Sequence, residues 1–304
     1  MNHGQFYAIL FVFMRIILIT GGNSSERKVS LKSAKNVKKA LKENGHKVKL
    51  YDLRDGYEKL KRTALQFDIL FPVLHGEEGE GGKLHKFLNK INKPIVGTRN
   101  YTGMQKAWYK IPFKTYCDTN GILTPKWKKT TNTSDIRRFG FSCVVKTSSG
   151  GSSKEVFILK SEKDLQKQKK KIFSLKNLFV EEYIEGVEIT VGILNNKALS
   201  VLEIIPPKGG WFDYENKYSG KTKEILNAPS LNAKIIKEAQ VISLKIHKHF
   251  NLGAYSRIDL IVRDNKIFVL ELNTIPGLTE NSLLPKQAGA SFKEFIEALV
   301  KSAK

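Results

Sequence analysis

The sequence predicts an α/β fold, with a parallel sheet in its N-terminal part and antiparallel strands further along the chain. The first third alternates apolar strands with amphipathic helices, which is typical of a parallel sheet covered by helices. The middle third has paired apolar strands around a glycine-serine loop. Near the end, the strands of residues 257–274 flank the turn-like Asp264-Asn265, which predicts a hairpin.

The predicted elements of the first third are strands at 14–20, 46–53 and 68–76 and helices at 25–45 and 81–92. In open parallel sheets, ligands bind beyond the carboxyl ends of the strands. The loops that begin at Gly21 and His75 lie at such ends and are therefore candidate binding loops.

Two interpretations of the first loop stay open. Asn23 fits the cap of the following helix, with Glu26 three residues later as the partner in a capping box. A substrate-binding role for this turn is supported about equally well. Phosphate binding through a GxGxxG motif is excluded because Gly21 and Gly22 are adjacent and no third glycine follows.

The rest of the chain is richer in strand. We expect strands at 141–147, 156–160, 177–186, 188–194 and 198–205, and helices at 163–173, 231–250 and from 291 to the end.

Length and composition describe a globular protein of two or three domains, with 304 residues of which 41% are hydrophobic. The apolar run at 6–13 is too short to span a bilayer, which needs about 20 apolar residues. It also lacks the basic start and cleavage site of a secretory signal. Met14 is a possible start, so we expect residues 1–13 to be an extension outside the fold.

The net charge of +23 allows a nucleic-acid partner, but the lysines are spread along the chain without a nucleic-acid-binding motif. A lysine-biased surface is the more economical interpretation. Cys117 and Cys143 form neither a CxxC motif nor a disulfide framework, which favours a reducing cytoplasm.

A glycine-serine loop at 148–153 follows a strand that carries Lys146. Glycines let backbone N–H groups approach a phosphate, and hydroxyls and the lysine add donors. The loop lacks the P-loop spacing, so a flexible hairpin tip remains the alternative. Glu155 beside it would be unfavourable near phosphate unless it points away.

The hairpin at 257–274 carries polar residues on strands that are otherwise apolar. Glu271 and Asn273 share one face of their strand, and counting outward from the turn places Asp259 opposite Glu271 or its neighbour. Two carboxylates about 4 Å apart repel by about 4 kcal/mol at an effective dielectric constant of 20. A Mg²⁺ ion would remove this repulsion. A solvated strand end or a salt bridge to Arg257 is the alternative.

A turn follows directly, and Gly277 and Ser282 lie within it. Backbone N–H groups there are suited to hold an oxyanion or a carboxylate. A simple Pro-Gly turn is the alternative.

Together these pieces resemble the D-alanine–D-alanine ligase family of the ATP-grasp superfamily. The resemblance runs in order from Met14 over GGNSSERKVSL, FPVLHGEEGE, VVKTSSGGSS, VEEYIEGVEITV, FDYENKYS, RIDL and ELNTIPGLTENSLLP. It implies a three-domain ATP-grasp fold with a Rossmann-like N-terminal domain. The expected units are 14–99 for substrate, 100–187 for the central domain and 188–304 for the C-terminal catalytic domain.

The resemblance implies ATP and two Mg²⁺ ions as cofactors, with Mn²⁺ as a possible replacement. The implied metal ligands are Asp259, Glu271 and Asn273, and the implied ATP contacts are Lys106, Lys146, Gly151, Ser153, Glu181, Glu182, Ile184 and Glu188.

The implied reaction joins two D-alanines through an acyl phosphate for peptidoglycan precursor synthesis. The implied catalytic residues are Glu26, Ser152, Tyr218, Arg257 and Gly277, and the implied substrate contacts are His75, Lys217, Ser282 and Leu283. The family also suggests a homodimer that acts in the cytoplasm on small molecules, without nucleic acid or membrane.

The chain departs from the family pattern at several positions: an acid is lost within 79–82, Gln105 replaces the Asp before the phosphate lysine, Thr147 replaces a Pro, Gly150 replaces an acid, and Lys154-Glu155 replaces a small pair. Three alternatives stay open, and the altered loop argues only for the one without turnover. They are another ATP-grasp carboxylate–amine ligase, a ligase that binds nucleotide without turnover, and a basic nucleic-acid-binding protein.

Overall fold

The computed structural model describes residues 13–151, 155–207 and 221–304, which form three sheets and the helices around them. The strands are β1 (Arg15–Thr20), β2 (Lys47–Asp52), β3 (Ile69–Pro72), β4 (Trp127–Lys129), β5 (Cys143–Thr147), β6 (Val156–Leu159), β7 (Leu178–Glu182), β8 (Val187–Leu194), β9 (Lys197–Ile205), β10 (Lys223–Leu226), β11 (Tyr255–Arg263) and β12 (Lys266–Asn273).

The helices are α1 (Arg27–Glu43), α2 (Tyr57–Ala64), α3 (Lys83–Leu88), α4 (Tyr101–Trp108), α5 (Lys110–Thr119), α6 (Thr133–Phe139), α7 (Glu162–Ile172), α8 (Ala233–Phe250), α9 (Leu283–Ala288) and α10 (Phe292–Lys301). Within the described ranges, no helix is long and apolar enough to cross a bilayer.

The first sheet is parallel, with the strand order β2-β1-β3. Its central strand β1 has no exposed side chain from Ile16 to Thr20, because elements cover both of its faces. The predicted alternation of strands and helices is therefore confirmed. Of the two interpretations left open for this turn, the capping box is wrong: α1 begins at Arg27 without a side-chain cap, and Asn23 accepts a hydrogen bond from Arg54 instead.

The second and third sheets are antiparallel, with strand orders β4-β7-β5-β6 and β10-β9-β8-β11-β12. The second sheet has its own core, in which Ile136 of α6 and Leu165 of α7 pack against Val145 and Val180. The third sheet shares one continuous core with the first, to which Met104 of α4 also contributes. The second sheet is thus packed separately from the other two sheets. We propose that the chain divides into three domains at the boundaries expected from the sequence, which are 14–99, 100–187 and 188–304.

The hairpin of β11 and β12 turns at Asp264 and Asn265, whose φ angles of 51° and 57° are left-handed. This confirms the predicted turn, since both central residues of a type I′ turn need positive φ. A β-bulge between Asp259 and Leu260 then shifts the register by one residue. Asp259 therefore pairs with Glu271, whereas regular counting from the turn would place it opposite Leu270.

Both cysteines are free and buried. Burial raises the pKa of the Cys117 thiol to about 12 and that of the Cys143 thiol to about 11. The thiolate is the reactive form of cysteine, so neither thiol is activated.

Two buried histidines predict a loss of stability in mild acid. Burial lowers the pKa of His85 and of His247 to about 4, whereas an unfolded histidine titrates near 6.5. Between these values the unfolded chain binds protons that the folded chain does not. As the pH is lowered through this window, we expect the free energy of unfolding to decrease by roughly 1.4 kcal/mol per pH unit for each histidine.

Urea unfolding at about pH 7, 6 and 5 measures this effect. Carboxylates contribute least in this pH range, because most of their titration occurs at lower pH. A variant with His85→Gln and His247→Gln is the control, because it should lose most of the slope. An equal slope in the control would contradict the assignment of the acid sensitivity to these two histidines.

Candidate active site

The hairpin of β11 and β12 places two carboxylates and an amide on one face. Asp259 pairs with Glu271 across the hairpin, and Asn273 donates a hydrogen bond from Nδ2 to Asp259 Oδ2 at 3.0 Å. Thr190 of the neighbouring strand β8 adds a hydroxyl donor to Asp259 Oδ1 at 2.6 Å. The predicted convergence of these three polar residues is therefore confirmed, although their binding of metal stays a prediction.

Two cations balance these carboxylates. Arg257 binds Asp259 through two parallel hydrogen bonds of 2.9 and 2.8 Å, which is the salt bridge that the sequence left open. Burial alone would lower the pKa of Arg257, but Asp259 and then Glu271 raise it well above its usual range. The ammonium of Lys110 lies 3.3 Å from Glu271 Oε2. The site therefore combines anionic oxygens with fixed positive charges.

These oxygens fit a magnesium ion. Two carboxylates and an amide oxygen are the hard ligands that Mg²⁺ prefers. Asp259 and Glu271 both line the cavity between the second and third sheets, so a cation bound to them can also contact an occupant of that cavity.

The first cavity has a volume of about 540 Å³ and lies between the second and third sheets. Its wall includes Val144, Lys146, Glu181, Glu182, Tyr183, Ile184, Val187, Glu188, Ile204, Asp259, Ile261, Leu270 and Glu271. Apolar residues such as Val144 and Ile184 line this cavity together with lysines and carboxylates. Such a combination suits a ligand with a flat apolar part and a charged part.

The second cavity has a volume of about 680 Å³ and lies between the first and third sheets. Its wall includes Glu26, His75, Glu80, Arg257, Asn273, Gly277, Ser282 and Leu283. Lys110, Gly150, Gly151 and Glu271 line both cavities. The two cavities therefore meet at one point, which is where a group could pass from an occupant of one to an occupant of the other.

The loop after β5 forms part of this meeting point. Lys110 donates a hydrogen bond to the Gly150 carbonyl at 2.8 Å, which fixes the loop beside Glu271. A Cβ atom at Gly151 would lie 3.1 Å from a carboxylate oxygen of Glu26, so a glycine allows this close approach. Glu155 accepts a hydrogen bond from the Thr147 hydroxyl at 2.7 Å, although it also lines the first cavity.

Two lysines flank Glu181 in the wall of the first cavity. Lys146 Nζ lies 2.6 Å from Glu181 Oε1, and Lys114 Nζ lies 2.6 Å from Oε2. Burial raises the pKa of Glu181, but the two lysines outweigh it and hold that pKa below its usual range. At the same end, Arg263 pairs with Glu182 at 3.0 Å.

The second cavity contains two polar groups that the sequence predicted. His75 is buried, with Nε2 3.2 Å from the Ser33 hydroxyl and its backbone N–H donating to the Ser30 hydroxyl. Ser282 precedes α9 and accepts a hydrogen bond from the Thr279 N–H at 3.0 Å. A Cβ at Gly277 would lie 2.9 Å from Ser282 Oγ, so these residues are in close contact.

One predicted contact is corrected by the structure. Lys106 is exposed on α4 and lines neither cavity. The chain leaves the helix at Tyr109, and Lys110 at the start of α5 points into both cavities instead. Tyr109 directly precedes Lys110, and its hydroxyl donates to Glu77 at 2.7 Å.

Sequence reasoning missed two residues of the site. Lys110 carried no distinguishing local signal, because Lys106, Lys110 and Lys114 are each four residues apart and spacing alone does not single out one of them. Glu80 was the second residue missed, because the sequence pattern indicated only that an acid is lost within residues 79–82. It is buried and accepts a hydrogen bond from the Gly76 N–H at 2.8 Å, with the His75 ring 4.0 Å away.

Four predicted site residues lie outside the described residues: Ser152, Ser153, Lys217 and Tyr218. The roles assigned to them stay predictions.

The fold and the cavities define the class of protein. Two antiparallel sheets enclose a cavity with lysines and paired carboxylates at one end, beside a parallel-sheet unit, and this is the predicted ATP-grasp architecture. A family profile described as "D-ala D-ala ligase C-terminus" matches residues 111–301, which is more than half of the chain.

Individual proteins agree with this class. The chain is 38% identical over 300 residues to the D-alanine–D-alanine ligase of Aquifex aeolicus, covering 94% of this chain and 100% of the relative. It is 36% identical to that of Maridesulfovibrio salexigens, covering 94% and 97%. A crystal structure of the Bacillus anthracis ligase complexed with ATP aligns with a TM-score of 0.81 at 29% identity, covering 95% and 97%. The chain belongs to the D-alanine–D-alanine ligase family.

The correction from Lys106 to Lys110 can be tested by nucleotide binding. Lys110→Met removes an ammonium from the point where the cavities meet, and we expect ATP to bind about 10- to 100-fold more weakly. Lys106→Met removes the same group from an exposed helix position and should leave the affinity unchanged. Calorimetric titration with Mg-ATP measures both. A larger effect of Lys106→Met would restore the original assignment.

Proposed function

We propose that the protein joins two D-alanine molecules to D-alanyl-D-alanine at the expense of ATP, for the synthesis of peptidoglycan precursors. The observation that carries the proposal is the meeting of two cavities at Lys110, Glu271 and the loop of Gly150 and Gly151. One cavity suits the nucleotide and the other suits small amino acids. The family membership supports the choice of D-alanine.

ATP would occupy the first cavity. Its base would lie among apolar residues such as Val144 and Ile184, with Glu181 and the backbone of Glu182 as polar contacts. Glu188 would contact the ribose. The phosphates would extend towards Lys146 and Lys110, beside the loop of Gly150 and Gly151, where cations and backbone N–H groups stabilise them. Ser153 would add a hydroxyl from the same loop.

Asp259, Glu271 and Asn273 would hold two magnesium ions against the phosphates. A bound Mg²⁺ neutralises the charge that develops on the phosphate oxygens during transfer. Mn²⁺ accepts the same oxygen ligands and is a possible substitute. Arg257 remains beside Asp259, so the site keeps a fixed cation as well.

In the first step, a carboxylate oxygen of the first D-alanine attacks the γ-phosphorus of ATP, and ADP leaves. The product is an acyl phosphate. Glu26 would bind the ammonium of this D-alanine from the second cavity, with Ser152 and Tyr218 completing its hydrogen bonds. His75 would line the same side. Phosphoryl transfer depends mainly on positioning and charge stabilisation, and both come from fixed groups here.

In the second step, the amine of the second D-alanine attacks the carbonyl carbon of the acyl phosphate, and inorganic phosphate leaves. Arg257 and the Gly277 N–H would stabilise the oxyanion of the tetrahedral intermediate. Ser282 and the Leu283 N–H at the start of α9 would bind the second carboxylate. Lys217 would add a further contact to substrate.

We further propose that the protein acts as a homodimer in the cytoplasm. The family resemblance supports the dimer, and the two free thiols support a reducing compartment. Family membership favours the ligase over a nucleic-acid-binding protein. Sedimentation of the purified protein tests the dimer directly.

Phosphate release tests the reaction. With Mg-ATP we expect release that requires D-alanine and does not occur with L-alanine, and we expect mass spectrometry to identify the dipeptide. Glu271→Gln removes a carboxylate from the proposed metal site and should slow release by roughly 100-fold or more. Glu280→Gln is the matched control, because it makes the same change at an exposed residue.

Other results would contradict this proposal and indicate a different function. Release with a different pair of amino acids would indicate another carboxylate–amine ligase. ATP binding without release, with every amino acid tried, would indicate a ligase that has lost turnover. Full activity of Glu271→Gln would contradict the proposed metal site.

A further inference from the structure

A buried lysine lies directly behind the wall of the first cavity. Lys114 on α5 is only 1% exposed and lines neither cavity. Its ammonium lies 2.6 Å from Glu181 Oε2 and donates to the Thr124 hydroxyl at 2.8 Å. Lys114 therefore acts on a ligand only through its neighbours, and of its two partners Glu181 and Thr124, Glu181 is the one that lines the cavity.

Glu181 is held from both sides. Oε1 lies 2.6 Å from Lys146 and Oε2 lies 2.6 Å from Lys114, so each carboxylate oxygen has its own cation. A carboxylate in this position is ionised and accepts hydrogen bonds without donating any. A ligand group that meets Glu181 must therefore be a donor.

The contacts of Lys114 continue to the other end of the site. The Thr124 hydroxyl that accepts from Lys114 donates to the Val269 carbonyl at 2.8 Å. Val269 lies on β12, two residues before Glu271. Lys114 thus ties Glu181 to the strand that carries a proposed metal ligand, which fixes the distance between the two ends of the cavity.

The loss of Lys114 would change the balance of charge in a definite direction. Among the described residues, Lys146 would become the only cation paired with Glu181, and it would be drawn towards that carboxylate and away from the phosphates. Glu181 would also lose the contact that fixes its orientation. Both changes weaken the binding of a nucleotide, but only the second alters which base is accepted.

We propose that Lys114 is a positioning residue that makes the site select adenine over guanine, by holding Glu181 as a fixed hydrogen-bond acceptor for the 6-amino group. Adenine presents a donor at this position. Guanine presents a carbonyl oxygen there, which would face a carboxylate and leave both groups unpaired. The proposal rests on the proposed function only in placing a purine nucleotide in the first cavity.

The affinities of ATP and GTP, measured by calorimetry with Mg²⁺ and no amino acid, test the proposal. We expect Lys114→Met to weaken ATP on the order of 10- to 100-fold and GTP much less, so that the ATP-to-GTP affinity ratio falls about tenfold or more. In a Glu181→Gln background, Lys114→Met should change this ratio by less than about twofold, because the two residues act as one unit.

A merely structural role gives a different result. If Lys114→Met lowers the melting temperature and leaves the affinity ratio within about twofold of the parent, the proposal is overturned. Lys167→Met on α7 removes an exposed lysine and controls for the lost charge. If Lys114→Met does not fold, Thr124→Val replaces it, since this change removes a hydrogen-bond partner of Lys114 and keeps the shape. An unchanged ratio in Thr124→Val then overturns the proposal.

The two proposals fail separately. Selective ATP binding that depends on Lys114, without dipeptide synthesis, would overturn the proposed function alone. Dipeptide synthesis with an ATP-to-GTP ratio that does not respond to Lys114 would overturn the role of Lys114 alone.

Discussion

The charge balance between the hairpin carboxylates and the surrounding cations is the constraint on which the rest of the site depends. Asp259 and Glu271 lie opposite each other on adjacent strands, and their repulsion must be offset within a partly buried space. Arg257 offsets one carboxylate and Lys110 the other. Because Lys110 also holds the Gly150 carbonyl, the same balance positions the loop where the two cavities meet.

A second set of charges organises the opposite end of the first cavity. There one carboxylate, Glu181, lies between two cations, Lys114 and Lys146, whereas the hairpin end has two carboxylates and two cations. Lys146 connects the two sets, because Glu181 and Glu271 both raise its pKa although burial would lower it. An anionic ligand that enters the cavity therefore meets cations whose positions are already fixed. Such preorganisation lowers the free-energy cost of ordering the site on binding.

The parallel sheet and the third sheet share a core, whereas the second sheet has a separate one. Movement of the second sheet would therefore break few apolar contacts with the rest of the protein. The first cavity lies along this boundary, so its width depends on the contacts that cross it. Lys110 with the Gly150 carbonyl and Arg263 with Glu182 are two such contacts, and both are polar. Polar contacts across a boundary can exchange partners with a ligand at a smaller cost than apolar packing can.

The sequence by itself determined most of the strands and the family, but it did not predict β4, β10 or the helices α2, α4, α5 and α6. Strand periodicity, the Asp264-Asn265 turn and the order of the motifs were enough for the sheets, the family and the polar face of the hairpin, because these signals are local or recur at fixed spacing. Only the tertiary structure decided which lysine enters the site. Lys106 and Lys110 are one helical turn apart in sequence, but the break at Tyr109 separates their directions. The bulge at Asp259 and the burial of Lys114 behind Glu181 were also hidden, because each depends on packing between segments that are far apart in the chain.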